Sequence, residues 1–209
     1  MIKINGKSIN STVDQSSSKP IGAYILANES AGFLAEIQRT NNFEFVVTNL
    51  QGIKKPGMSG SESNAIVENI EEVIRLSVNS TSIPHFSQDP ITVRRGNSVV
   101  KYAGVPTFPE GSIQVNDYIG IDTKVALMSW QNLSYNVKTE KVGLVTDYKR
   151  DCWLVEYTPD YQEVRRWILH GCWISSLTEP EYNHDSNDKH TISATIQYDW
   201  AELDFTGET

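Results

Sequence analysis

The sequence predicts a mainly β protein, an antiparallel β-sandwich or barrel-like domain with one α-helix, and three observations predict it. The stretch 190–204 alternates strictly: Ile192, Ala194, Ile196, Tyr198 and Trp200 point one way in a strand, and Thr191, Ser193, Thr195, Gln197 and Asp199 the other. That period of two, filled with β-branched and aromatic residues, marks a half-buried strand. Seven to nine such runs are spread along the chain, with no regular exchange of strand and helix that would argue a parallel sheet. Only one stretch, 117–133, reads as a helix.

Taken in order, residues 1–38 read as an extension. Ser16, Ser17 and Ser18 stand in a row within an aperiodic stretch, so no regular structure is expected in the first twenty residues; 21–37 is apolar enough for a short strand or helix. Residues 43–50 alternate as a strand. The run Lys-Lys-Pro-Gly-Met-Ser-Gly-Ser within 51–64 is a surface loop. Residues 73–78 alternate again and are expected as a strand, ended before Pro84. Two strand-like runs, 91–93 and 99–102, flank Arg94-Arg95-Gly96-Asn97-Ser98 and predict a hairpin. Gly104, Pro106, Pro109 and Gly111 stiffen the connection to a strand at 113–115.

The helix over 117–133 can be capped by Asp117 or Asp122. Its apolar residues lie on two sides, Ile121, Val125 and Met128 against Ala126, Trp130 and Leu133, and a helix apolar on two sides is covered on two sides. A neighbouring subunit is one candidate cover, the helix's own domain the other. Strands are expected at 142–148, 152–157 and 164–177, the last as the layer opposing the strand at 190–204. The polar loop 178–189 separates them, and 205–209 is a short tail. The domain proper is therefore 39–204.

Composition narrows the function classes. Hydrophobic residues are only 39%, which implies long polar segments or a sheet wet on one side. No apolar run reaches the ~20 residues of a membrane helix, and the N-terminus lacks the apolar core of a signal peptide, so synthesis in a cytoplasm and no membrane partner are expected. The net charge of -8 is unevenly placed: residues 1–139 hold 12 basic and 12 acidic side chains, residues 140–209 hold 6 and 14. An acidic surface disfavours binding to nucleic acid. Cys152 and Cys172, each followed by tryptophan, read as buried free thiols. His184, Asp185, Asp188 and His190 can be drawn as a metal site, but their loop is exposed and polar, so no metal and no cofactor are expected. There is no nucleophile elbow, phosphate-cradling loop or paired Cys–His motif, so no catalytic residues are assigned and no enzyme is expected. Arg94, Arg95 and Tyr102 on the hairpin, and Val125, Met128, Trp130 and Leu133 on the helix, are the candidate subunit contacts.

The order of these features resembles the tail tube proteins of contractile-tailed bacteriophages. Arg39, Asn42 and Phe43 are similar to the arginine, asparagine and phenylalanine that open the first strand of that family. Pro84 follows a strand, Gly104 and Phe108 precede the pre-helix strand, Asn116-Asp117 leads into the helix and Trp130 lies near its end. Gly171-Cys172-Trp173 resembles the family's Gly-x-Trp, and Tyr198-Asp199-Trp200 its closing Tyr-x-Trp. Three features depart from the pattern: Ile174 stands where the family has proline, residues 1–38 are additional, and so is the 51–64 loop. The resemblance implies a β-sandwich forming hexameric rings that stack into a tube within the virion tail, assembled in the host cytoplasm. Strands of adjacent subunits would form one inner barrel around a lumen through which DNA passes unbound, with tail sheath and baseplate proteins as partners. Thr191, Ser193, Thr195, Gln197 and Asp199 are then the candidate lumen-facing residues, and the acidic C-terminal third predicts an acidic lumen. A second reading keeps the fold but places the protein at the end of the tube, as initiator or cap. A third, of another class, is a β-sandwich binding module or enzyme with a site that no motif reveals.

Overall fold

A computed structural model describes residues 2–4, 7–9, 38–50, 53 and 69–204. The expected loop 51–64, apart from Ile53, the tail 205–209 and most of the 1–38 extension lie outside the described residues. The chain divides into two units, residues 1–38 and residues 39–209. In the first, β1 (Ile2–Ile4) and β2 (Lys7–Ile9) pair antiparallel, Ile2 opposite Ile9, so regular structure exists within the first twenty residues where none was expected.

The second unit is mainly β and antiparallel, as predicted. Its strands are β3 (Phe43–Val47), β4 (Val78–Thr81), β5 (Ser87–Gln88), β6 (Ile91–Arg95), β7 (Ser98–Tyr102), β8 (Pro106–Thr107), β9 (Gly111–Asn116), β10 (Tyr135–Asn136), β11 (Lys141–Val142), β12 (Arg150–Tyr157), β13 (Glu163–Thr178), β14 (Thr191–Gln197) and β15 (Trp200–Asp204). Three helices are described, α1 (Ile70–Ser77), α2 (Thr123–Ser134) and α3 (Val145–Tyr148). The principal sheet runs β3-β12-β13-β14-β9-β4, with β15 also on β13.

β13 organises this sheet. Its first part pairs with β12 on one side and β15 on the other, His170 opposite Trp200; its last part pairs with β14, Trp173 opposite Gln197. The change of partner falls at Gly171, whose φ of 70° lies in the left-handed region. A side chain there would be strained by that backbone and would displace the Asp199 carboxylate, so glycine is favoured. A bulge between Ile174 and Ser176 adds twist just beyond. The two groups of strands, β3-β12-β13-β15 and β13-β14-β9-β4, share one core: Phe45, Leu154 and Leu169 from the first, Ile113, Val115, Ile192, Ala194 and Ile196 from the second. Ile70 and Ile74 of α1 and Ala126, Leu127 and Trp130 of α2 complete it.

Several local expectations are corrected. The expected strand 73–78 is helix α1 followed by β4. Ile70 and Ile74 are one helical repeat apart and both buried, and Glu72 pairs with Arg75 at i,i+3. The expected helix 117–133 starts later, at Thr123. Asp117 instead continues the ladder, its N–H donating to the His190 carbonyl at 3.0 Å and its carboxylate meeting His190 Nδ1 at 3.2 Å. The residue before the helix, Asp122, makes no side-chain cap. The expected strand 142–148 is β11 and then α3, whose Tyr148 carbonyl accepts the indole N–H of Trp130 at 3.2 Å. The expected strand 190–204 is two strands broken at Tyr198-Asp199, so Trp200 leaves the buried face and stacks on His170 at 4.0 Å. Finally, the expected strand 164–177, within β13, is divided: its part before Gly171 belongs to the group of strands that shares the core with β14, while 173–177 lies beside β14 as a hydrogen-bonded neighbour rather than opposing it.

Candidate assembly surfaces

Among the described residues, three surfaces of the second unit lack a cover of their own. The first is the face of β13-β14-β9-β4 turned away from the core. Burial alternates residue by residue along β14, and Ile113 and Val115 of β9 point inward as Ile192 and Ala194 do. Register then fixes what points outward. Ser80, Gln114, Ser193 and Thr178 form one row across four strands, and Ser112, Thr195 and Ser176 the next. Ser80 donates to the Gln114 side-chain carbonyl at 3.2 Å. Of the residues expected to line a lumen, Thr191, Ser193, Thr195 and Gln197 share this face. Asp199 lies beyond the strand end, held by Lys149 Nζ at 2.6 and 2.7 Å. Sequence reading had no view of Ser80, Ser112, Gln114, Ser176 and Thr178 as parts of this face, although the alternation from Gly111 to Asn116 was there to be extended.

The second surface is the hairpin β6–β7, with Arg95 opposite Ser98 and Gly96 at φ 64° in its turn, where a side chain would be strained. Ile91, Val93, Val99 and Tyr102 are exposed on it beside Arg94, Arg95 and Lys101. Apolar residues on both faces of this two-stranded ribbon have nothing among the described residues to cover them.

The third surface lies along α2. Trp130 is 1% exposed and anchors the subunit's own core, Val125 and Leu133 pack against that core, and Met128 is 41% exposed. The helix is thus covered on one side by its own domain, and Met128 is what it offers outward. Met128 lines an open groove with Tyr135, Val137 and Trp173.

The charge of the C-terminal third goes elsewhere. Glu156 pairs with Arg165 at 2.6 Å and Glu163 with Arg166 at 2.8 Å, while the Arg166 guanidinium sits 4.9 Å over the Trp153 ring. Asp151 and Glu202 flank the two nitrogens of His170 at 3.4 Å. Glu179 bonds Lys124 at 2.6 Å and thereby raises the lysine above its ordinary range. Burial of the phenol, then its hydrogen bond to Glu44 at 2.7 Å, pushes Tyr157 up to about 12. Cys152 and Cys172 are free and wholly buried; burial drives the Cys152 thiol well above its ordinary value, and Cys172 beside it adds to that. Among the described residues no group of three or more His, Cys, Asp or Glu side chains is placed to hold a metal.

Comparison with known proteins gives these surfaces a context. The tail tube protein gp19 of Enterobacteria phage T4 is 25% identical over 126 residues, 59% of this chain and 77% of its own length. The tube-terminating cap of the anti-feeding prophage superposes with a TM-score of 0.56 at 16% identity, over 82% of this chain and 93% of that one. A chain of the PVC sheath–tube complex, an extracellular contractile injection system in its extended state, gives 0.56 at 18% identity, over 88% and 99%. At such identities the two structures speak for the fold alone. The family model described as T4-like virus tail tube protein gp19 matches residues 40–202, and the chain belongs to that family of contractile tail tube proteins.

Proposed function

We propose that this chain is the shaft subunit of the inner tail tube of a contractile-tailed phage. Six copies close into a ring and rings stack into a conduit through which DNA leaves the particle. The observation that carries this is the sheet β13-β14-β9-β4, apolar toward the core and wet on its other face, with β4 as its outermost strand among the described residues. An unpaired strand edge invites the edge of a second copy, and joining edges around a ring removes them all. The wet face then looks into the lumen, and Thr191, Ser193, Thr195 and Gln197 line it, with Asp199 at its margin. The hairpin β6–β7 reaches an adjacent subunit or ring, where Arg94 and Arg95 meet carboxylates and Tyr102 is covered. Met128, with Val125 beside it, meets a neighbouring copy, and Trp130 and Leu133 hold the helix in place for that contact. The opposite group of strands, with its paired charges, faces the tail sheath, and the baseplate supplies the first ring. Assembly takes place in the host cytoplasm, and the role is structural.

Residues 1–38 precede the family match, and that favours keeping a second reading, a tube initiator or cap at the tail's end. Electron microscopy of the purified protein separates the readings. Long tubes support the shaft. Single rings that do not stack support the terminal component, and a monodisperse monomer at high concentration overturns both.

A further inference from the structure

The sheet β13-β14-β9-β4 has two ends, and the segments that emerge from them differ in charge. At one end β9 starts at Gly111, opposite Ile196, and β4 finishes at Thr81, opposite Ile113. Residues 82–110, the hairpin β6–β7 among them, emerge there. At the other end β9 finishes at Asn116, opposite Thr191, and β13 finishes at Thr178, opposite Ser193. Residues 117–122 and 179–190 emerge there together. These two segments touch: the Asp117 carboxylate meets His190 Nδ1 at 3.2 Å, and Tyr182 stacks on His190 at 5.0 Å.

Residues directly opposite one another in a hairpin share a face. One face of β6–β7 is therefore apolar, built from Ile91, Val93, Val100 and Tyr102, and the other carries Arg94 and Lys101 beside Thr92 and Val99. The segment 91–102 holds three basic residues and no acidic one. The far end of the sheet is its complement. Ile119 is fully exposed there, and Tyr118 and Tyr182 are exposed with it. Glu181, Asp185 and Asp188 are exposed on the same end, and the segment 179–190 holds four carboxylates against one lysine.

We propose that the hairpin docks on this far end of a second copy, its apolar face over Tyr118 and Ile119, and Arg94 and Lys101 against the carboxylates of 179–190. The inference rests on the tube reading above and names the surfaces by which one ring holds the next. The two surfaces emerge at opposite ends of one sheet, so a head-to-tail contact leaves one of each unfilled after every step. A heterologous contact of that kind does not close and grows as a filament. The charges also fix polarity. Hairpin against hairpin would set arginine against arginine, and far end against far end would set carboxylate against carboxylate.

Charge reversal in the full-length chain, read by electron microscopy at low salt, tests this. Arg94→Glu with Lys101→Glu, and separately Asp185→Lys with Asp188→Lys, should each lower the number of tubes by about tenfold or more, and all four changes in one chain should restore it to within about threefold of wild type. All four residues are exposed, so unassembled subunits of every variant should melt as wild type does. Cross-linking reads the apolar contact independently. Val93→Cys with Ile119→Cys, treated with a short bismaleimide in assembled tubes, should give a ladder of covalent multimers, while each single variant gives no dimer; the native Cys152 and Cys172 are wholly buried. The ladder decides the matter if the quadruple variant does not fold. Wild-type numbers of tubes from either reversed chain, a quadruple variant that folds but builds none, or tubes without the ladder overturn the docking and leave the tube reading intact. A wild-type chain that builds no tubes overturns the tube reading, and the inference with it.

Discussion

Gly171 and Trp130 are the two single residues on which most depends. Gly171 combines a left-handed backbone with a side chain of Asp199 in the space a Cβ would need. Gly171→Val should cost at least about 1–3 kcal/mol from the backbone alone, and thermal melting of unassembled subunits checks it. Asp199→Asn, by contrast, removes a pair that is half in solvent and should shift stability by only ~0–1 kcal/mol. Trp130→Ala empties a fully buried site and leaves the Tyr148 carbonyl without its donor, so a loss of ~3–5 kcal/mol is expected in the same assay. A Trp130→Ala subunit melting like wild type would remove it from the core. Tyr157 gives a pH signature. Its folded pKa, about 12, lies above the ordinary value of 10.0 for the unfolded chain, so the phenol contributes fully below pH 10. Between pH 10 and 12 the unfolded state ionises first and the contribution is lost as pH rises. Tyr157→Phe should flatten the fall of stability across that window in denaturant titrations.

Elements divide into those that hold the subunit and those that are spare within it. The hairpin β6–β7 has its apolar side chains exposed, and little of it touches the core. Replacing Ile91, Val93, Val99 and Tyr102 together by serine should leave the melting temperature of free subunits nearly unchanged while abolishing tube formation in electron micrographs. Arg94→Ala with Arg95→Ala should weaken assembly only when combined, since each exposed pair contributes ~0–1 kcal/mol. Met128→Asp belongs with these: the side chain is 41% exposed, so folding should survive and association fail, measured by sedimentation. The sequence made the hairpin readable because its Gly-Asn turn is a local instruction. It misled at α1, because Val73, Arg75 and Ser77 alternate with Ile74, Leu76 and Val78, and a short apolar run fits either period. Leu76 turns out to be exposed, and only the charges Glu71, Glu72 and Arg75 at helical positions hinted at the difference.

For the whole molecule, the class was legible where alternation is strict, in β9, β14 and the last part of β13. What stayed hidden was non-local. Nothing near Tyr198-Asp199 announces a break, and the groups that meet Asp199 there, Gly171 and Lys149, are far away in sequence. The wet face needed register: only pairing β4 and β13 against β9 and β14 shows that Ser80, Gln114, Ser193 and Thr178 lie in one row. The helix start was misplaced for the same reason, Asp117 being claimed by His190 across the sheet rather than by the helix.

The position of β13 in the principal sheet also sets a clock. β3 pairs with β12, so Phe43 waits for Glu156, and both groups of strands wait for β13. Such distant pairing makes formation slow relative to local structure. During synthesis, which proceeds from the N-terminus, β9 and β4 can meet early but have no β14, and β3 has only α1 and β4 beside it, with no strand to pair with, until the chain is three-quarters made. On the tube reading proposed above, a nascent chain is expected to present no finished sheet to its neighbours, and polymerisation should follow release. Chains truncated before Glu163 should remain unstructured in pulse proteolysis, and they should fail to poison growing tubes when co-expressed with the intact protein.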